Sequence, residues 1–321
     1  MTKLCLLSCP DTNMKYNERV MTLKENISIW LHSDAFVELV KLSGGNVKET
    51  GSIKEIISYY NKFSEIWDYR KMKANGGERW MIQEDAFLSD HRTIIMDCVT
   101  LLGLRDVVEP SRQPEYVLPL GGARLANLDR CITANNVCSK YPVNEVSVVA
   151  LTGMRPINDI ERPFLEQYAP DAQTEYEAMC CGMSKAFNLS KDAYEEKVYE
   201  HENLNLAWAE RHYCGNQRRI CVLSAPSSDP GRRANSMDTF KFFMERYKLE
   251  PGANILLVTS CIYVPFQLMK FTDLALEKGI YVDCIGNKIQ PGSPSVLNVA
   301  SYLQELKATI NAIYVLSEHY F

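Results

Sequence analysis

Apolar side chains recur at helical spacing through the first hundred residues. Val20, Leu23, Ile27, Trp30 and Leu31 form one stripe. Ile53, Ile56, Ile57, Tyr60, Phe63, Ile66 and Trp67 form a second, with lysines and glutamates on the opposite face, and Leu88, Ile94, Ile95, Cys98, Leu101 and Leu102 form a third. Such spacing gives each helix one face to bury. Breaks fall at Ser43-Gly44-Gly45-Asn46 and at Asn75-Gly76-Gly77. No strand-like alternation competes here, so residues 1–105 read as a helical N-terminal domain or cap.

The pattern changes after residues 106–113, a linker with Pro110 inside it and Pro114 directly behind it. Short apolar runs follow at 116–120, 146–151, 220–224, 255–259 and 281–285. Runs without polar alternation suit strands buried on both faces, as in a parallel sheet. Helical stretches lie between them, and strand alternating with helix argues for βαβ units. Thr174 and Glu177 make a capping box ahead of Tyr176, Met179, Cys180, Met183 and Phe187. Asn235 or Ser236 caps a helix with Phe240, Phe243, Met244 and Tyr247. Pro265 suits the first turn of a helix that Gly279 ends, and Ser295 caps a last one. Residues 190–212 read as an extra helix between strands. The expected fold is α/β: a doubly wound, mostly parallel sheet of about five strands over residues 106–321, beside the helical N-terminal domain.

Composition leaves this picture intact. Of 321 residues, 46% are apolar and 23% charged, the balance of a globular protein. A net charge of −5 calls for neither nucleic acid nor an anionic membrane as partner, and an oligomer stays open. The first ten residues are too short an apolar run for a signal peptide, and no stretch reaches the ~18 apolar residues of a spanning helix, so a soluble cytoplasmic protein is expected. Eleven cysteines are scattered without a CxxC pair. They read as reduced, zinc-free thiols packed as small hydrophobes.

In open α/β sheets, ligands bind outside the carboxyl ends of the strands. After the first run come Gly121, Gly122 and Arg124; after the second, Thr152, Gly153 and Arg155, then Asp159, Glu161 and Arg162. The third is followed by Arg232, Arg233 and Asn235 just before a helix, where an arginine suits a phosphate or carboxylate. Thr259, Ser260, Cys261 and Tyr263 follow the fourth. Gly121 and Gly122 would let a ligand approach the backbone. Glu175 and Glu177 start a helix, where capping and dipole compensation compete with catalysis. None of the five histidines follows a core strand, Cys261 has no histidine near in sequence, and GxSxG, HExxH and metal-spaced sets are all lacking, so no metal is assigned.

Taken in order, Leu118-Pro119-Leu120-Gly121-Gly122, Arg130, Thr152-Gly153, Glu175 and Glu177, Arg233-Ala234-Asn235-Ser236 with Asp238, and Leu257-Val258-Thr259-Ser260 resemble the YdcF/SanA/ElyC-like family. The resemblance implies a Rossmann-like sheet with a polar pocket at its strand ends and a nucleotide-like ligand. Tyr263 and Phe266 stand where that family has a histidine and an arginine, and Ser236 and Thr239 replace a threonine and an asparagine.

Three readings follow. The first is a protein binding a nucleotide-like or phosphorylated small molecule, with phosphoryl or nucleotidyl transfer or hydrolysis as its reaction class if it is an enzyme. Arg124, Arg130 and Arg233 would then hold anionic groups, and Glu175 or Glu177 would contact a ribose, activate water or hold a metal ion. The second is a non-catalytic binding or interaction module. The third is a methyltransferase-like protein using S-adenosylmethionine, although Thr152-Gly153 stands where an acidic residue should end the second strand.

Overall fold

The computed structural model describes residues 4–70, 82, 86–190, 192–287 and 298–321. The N-terminal part is helical: α1 (Tyr16–Leu31), α2 (Asp34–Leu42), α3 (Ile53–Phe63) with a 3-10 turn (Ser64–Trp67), α4 (Ala86–Asp90) and α5 (Arg92–Leu101). Then follow β1 (Tyr116–Pro119), α6 (Ala126–Cys138), β2 (Ser147–Thr152), α7 (Arg162–Leu165), α8 (Glu175–Phe187), β3 (Tyr194–Tyr199), β4 (Trp208–Tyr213), β5 (Ile220–Ser224), α9 (Ser236–Tyr247) and β6 (Asn254–Ser260). A 3-10 turn (Cys261–Tyr263), α10 (Val264–Lys278), β7 (Tyr281–Asn287) and α11 (Val299–Tyr320) complete the chain. Among the described residues the strands form one seven-stranded sheet in the order β3-β4-β5-β2-β1-β6-β7.

The chain divides into two compact units. One combines Met1–Val108 with Ser260–Phe321, and the other is Glu109–Thr259. In the first, most stripe residues become the core: Leu23, Ile27, Trp30 and Leu31 of α1 are buried, as are Ile56, Ile57 and Tyr60 of α3, whereas Ile66 and Ile94 are exposed. Ser52 caps α3, with Glu55 closing the box. Both chain ends build this unit. Arg19 is buried and donates to the carbonyls of Ala275 (3.3 Å) and Ile280 (2.8 Å), just where Gly279, at φ +68°, ends α10. A guanidinium there meets the negative end of the helix dipole. Asp68 pairs with Lys307, and the Arg70 N–H donates to Gln304. The cap of α11 is Asn298, which accepts from the Ser301 N–H; Ser295 lies outside the described residues.

In the second unit β5, β2, β1 and β6 run parallel. Helices cover both faces. Alternate residues of a strand point to opposite faces: Tyr213 donates to the Cys180 carbonyl on α8, while Glu210 meets Arg246 on α9. The extra helix expected over 190–212 is instead an antiparallel hairpin, β3 and β4, added to β5. All six residues of β3 are exposed, so burial imposes no apolar period on them. Its register rests on cross-strand contacts such as Arg211 with Glu196 at 2.8 Å, whose residue types also suit a solvated helix. Eight of the eleven cysteines are buried.

Candidate functional site

The turns after β1, β2 and β5 carry most of the residues singled out in the sequence. Leu120 bridges to Leu151, and the Gly121 N–H donates to the Leu151 carbonyl (2.6 Å), which draws the first turn onto β2. A Cβ at Gly121 would collide with Glu175 Oε1 and lie 3.1 Å from both Leu151 O and Thr152 Oγ1. A Cβ at Gly122 would lie 2.9 Å from Ala126 Cβ and from Arg130 Nη1. The two glycines therefore make room for protein groups. The Gly122 N–H is also used internally, donating to Asn127 Oδ1 (2.7 Å).

Glu175 is the first residue of α8, and its N–H donates to the Arg155 carbonyl (2.8 Å). Its Oε1 accepts from Thr152 Oγ1 (3.3 Å) and its Oε2 from Arg155 Nε (2.9 Å). Arg155 turns its other two nitrogens to both oxygens of Glu161, at 2.7 and 3.0 Å. Glu161 is buried and also accepts from the Asn158 N–H. Burial opposes the charge on Arg155, but the hydrogen bonds and charges of Glu161 and Glu175 outweigh it and raise the guanidinium's pKa above its ordinary value. Two carboxylates share one arginine, so the cluster carries one net negative charge. Fold geometry thus delivers a carboxylate to the end of β2, where the sequence itself has Thr152-Gly153.

Glu177 has a different place. Its Oε2 accepts from the N–H groups of Thr174 (3.1 Å) and Gln173 (2.5 Å), closing the capping box. Arg130 is buried, and its Nη1 donates to the Leu120 (2.8 Å) and Gly121 (2.6 Å) carbonyls, so it clamps the first turn. Arg124 adopts φ +57°, accepts from the Tyr168 hydroxyl through its carbonyl and lies over the Phe164 ring at 4.8 Å.

The third turn approaches the second: a Cβ at Gly153 would lie 3.8 Å from Ala234 Cβ. Next to Ala234, Arg233 is exposed to solvent. Asn235 caps α9, accepting from the Met237 and Asp238 N–H groups, and Ser236 is the first helical residue. Asp238 accepts from the Asn235 N–H and from Arg232 Nη1 (2.6 Å). Burial raises the Asp238 pKa, but these donors and the Ser228 side chain outweigh it and hold the carboxyl down at about 2. Ser224 Oγ and Thr259 Oγ1, at the ends of β5 and β6, are buried without a hydrogen-bond partner. Ser260 and Tyr263 belong to the other unit. The sequence reading passed over Arg155 as a site residue. Its partners lie six and twenty positions away, and the three residues share no single helix or strand whose period would reveal them.

Residues 14–103 match the family model described as the Rv3785 N-terminal domain. Two uncharacterized proteins, Mb3814 of Mycobacterium bovis and Rv3785 of Mycobacterium tuberculosis, are each 27% identical to this chain over 339 residues. Each alignment covers 97% of this chain and 94% of the relative. No solved structure matches. These findings overturn the resemblance to the YdcF/SanA/ElyC-like family, which none of the matches supports. The motifs that carried it are short strand ends. Small and hydroxyl residues after apolar runs are what a parallel sheet of any family presents there. Among the described residues, no helix is long and apolar enough to cross a membrane.

Proposed function

We propose that the Glu109–Thr259 unit is a Rossmann-like domain that binds a nucleotide-like ligand or a related phosphorylated small molecule. The order of the unit's parallel strands, β5-β2-β1-β6, supports the Rossmann-like reading, because winding starts at β1 and reverses direction beside it. One observation carries the ligand class: the Glu175 carboxylate lies against Thr152 at the end of β2 and against the Gly121 turn that follows β1. In dinucleotide-binding sheets an acidic residue in that region hydrogen-bonds a ribose hydroxyl. Glu175 would bind such a hydroxyl, and Arg233 on the adjoining turn would bind an anionic group. If the bound molecule reacts, phosphoryl or nucleotidyl transfer or hydrolysis is the class that fits. Binding without turnover is the second reading, favoured by the engagement of both Glu175 oxygens with Thr152 and Arg155.

Calorimetry of the full chain with a panel of adenine and guanine nucleotides, and with their 2′-deoxy analogues, tests the proposal. A nucleotide should bind, and Glu175→Gln should weaken it about ten- to a hundred-fold, the value of one charge-assisted hydrogen bond. The deoxy analogue should bind the native protein more weakly and lose little more in Glu175→Gln. Failure of the whole panel to bind, or equal losses for the two ligands, would overturn the reading.

A further inference from the structure

Strand pairing assembles a second cluster away from these turns. His212 and Cys221 are direct partners in the antiparallel β4–β5 register. Glu210, two residues before His212, shares their face. One ligand atom from each lies within 4.8 Å of the others, and His212 Nε2 is 2.8 Å from Glu210 Oε1. Cys221 and Glu210 are buried, while the His212 side chain is 40% exposed, which leaves a path from solvent.

We propose that Glu210, His212 and Cys221 hold one divalent ion of the zinc class. A thiolate, an imidazole and a carboxylate are the donors zinc takes, at bond lengths of about 2.0–2.3 Å. Tetrahedral bonds of that length separate the donor atoms by about 3.3–3.8 Å, so side-chain movements of about 1 Å or less would close the set. A second observation points to the same place. The Tyr247 hydroxyl on α9 is shut off from solvent beside the Cys221 thiol and interacts with it. It, or a water, would complete the fourth position.

The charges are compatible with such an ion. Arg246 Nη2 lies 3.7 Å from Glu210 Oε2, leaving Oε1 toward His212. Thiolate and carboxylate together balance the two charges of the metal. Burial pushes the Cys221 thiol up to about 12. Metal binding would therefore displace the thiol proton, which passes to solvent. Cys221 is the second residue of β5, whereas the turn with Arg233 follows its carboxyl end. An ion there would pin the β3–β4 hairpin to the parallel strands without touching a ligand at the turns.

The test is titration of chelator-treated full-length protein with cobalt(II), then zinc. One cobalt per chain should bind, with a thiolate-to-cobalt charge-transfer band that one equivalent of zinc abolishes. Cys221→Ser should remove the band. His212→Gln, at a partly exposed position, should weaken binding at least about ten-fold, since even loss of an outer contact to a metal ligand costs that much. Cys214→Ser, at an exposed thiol nearby, should change nothing. Absence of saturable cobalt binding overturns the proposal, as does a band that survives Cys221→Ser or vanishes in Cys214→Ser. Should Cys221→Ser fail to fold, unchanged affinity in His212→Gln is decisive against the site.

Discussion

Arg155 grips both oxygens of Glu161, and Glu161 has almost no solvent contact. Two charges so buried stay stable only as a pair, because each alone would have lost its hydration for nothing. Glu161→Ala should therefore cost about 3–5 kcal/mol, nearer the lower figure because Glu175 still holds the arginine. Urea unfolding measures it. The joint change Arg155→Met with Glu161→Leu should recover much of the loss, and a single variant as stable as the native protein would count against the pair.

Gly121 has no room for a methyl group because Glu175 Oε1 fills the space. Gly121→Ala should cost about 1–3 kcal/mol, as overpacking does. Most of that cost should disappear in a Glu175→Ala background, where the colliding oxygen is gone. A full penalty in both backgrounds would instead make the Leu151 carbonyl the limiting neighbour.

The start of α9 should register acid. The Asp238 pKa is held at about 2 in the folded protein, below the ~3.9 of an unfolded aspartate. Its contribution is complete above the unfolded value and is lost as pH falls from about 4 toward 2. Asp238→Asn should flatten the stability profile in that window, read as thermal midpoints against pH. Arg232→Ala should lower stability at neutral pH because it removes Asp238's partner, whereas Arg233→Ala, at an exposed side chain, should leave the midpoint unchanged.

Much of this architecture is legible in the residues. The run at 220–224 is β5 itself, and the other four apolar runs match β1, β2, β6 and β7 to within two residues at either end. Thr174, Asn235 and Gly279 sit at helix ends as their chemistry requires. Burial on both faces, and orphan backbone groups at helix ends, write themselves into sequence. The β3–β4 hairpin does not, because β3 buries nothing. The glutamate–arginine cluster is equally hidden, since Arg155, Glu161 and Glu175 meet only after β2 and α8 pack. The same holds for His212 and Cys221, which strand register brings together.

Arg19 and Asp68 depend on residues near the far end of the chain, Ala275, Ile280 and Lys307. A ribosome therefore makes α1 to α5 before these partners, with the whole of Glu109–Thr259 emerging in between. Folding in the order of synthesis favours the middle of the chain, whose contacts close within itself. The earlier helices reach their final packing only once α10 and α11 have been made, and until then the apolar faces of α1 and α3 are open to chaperones.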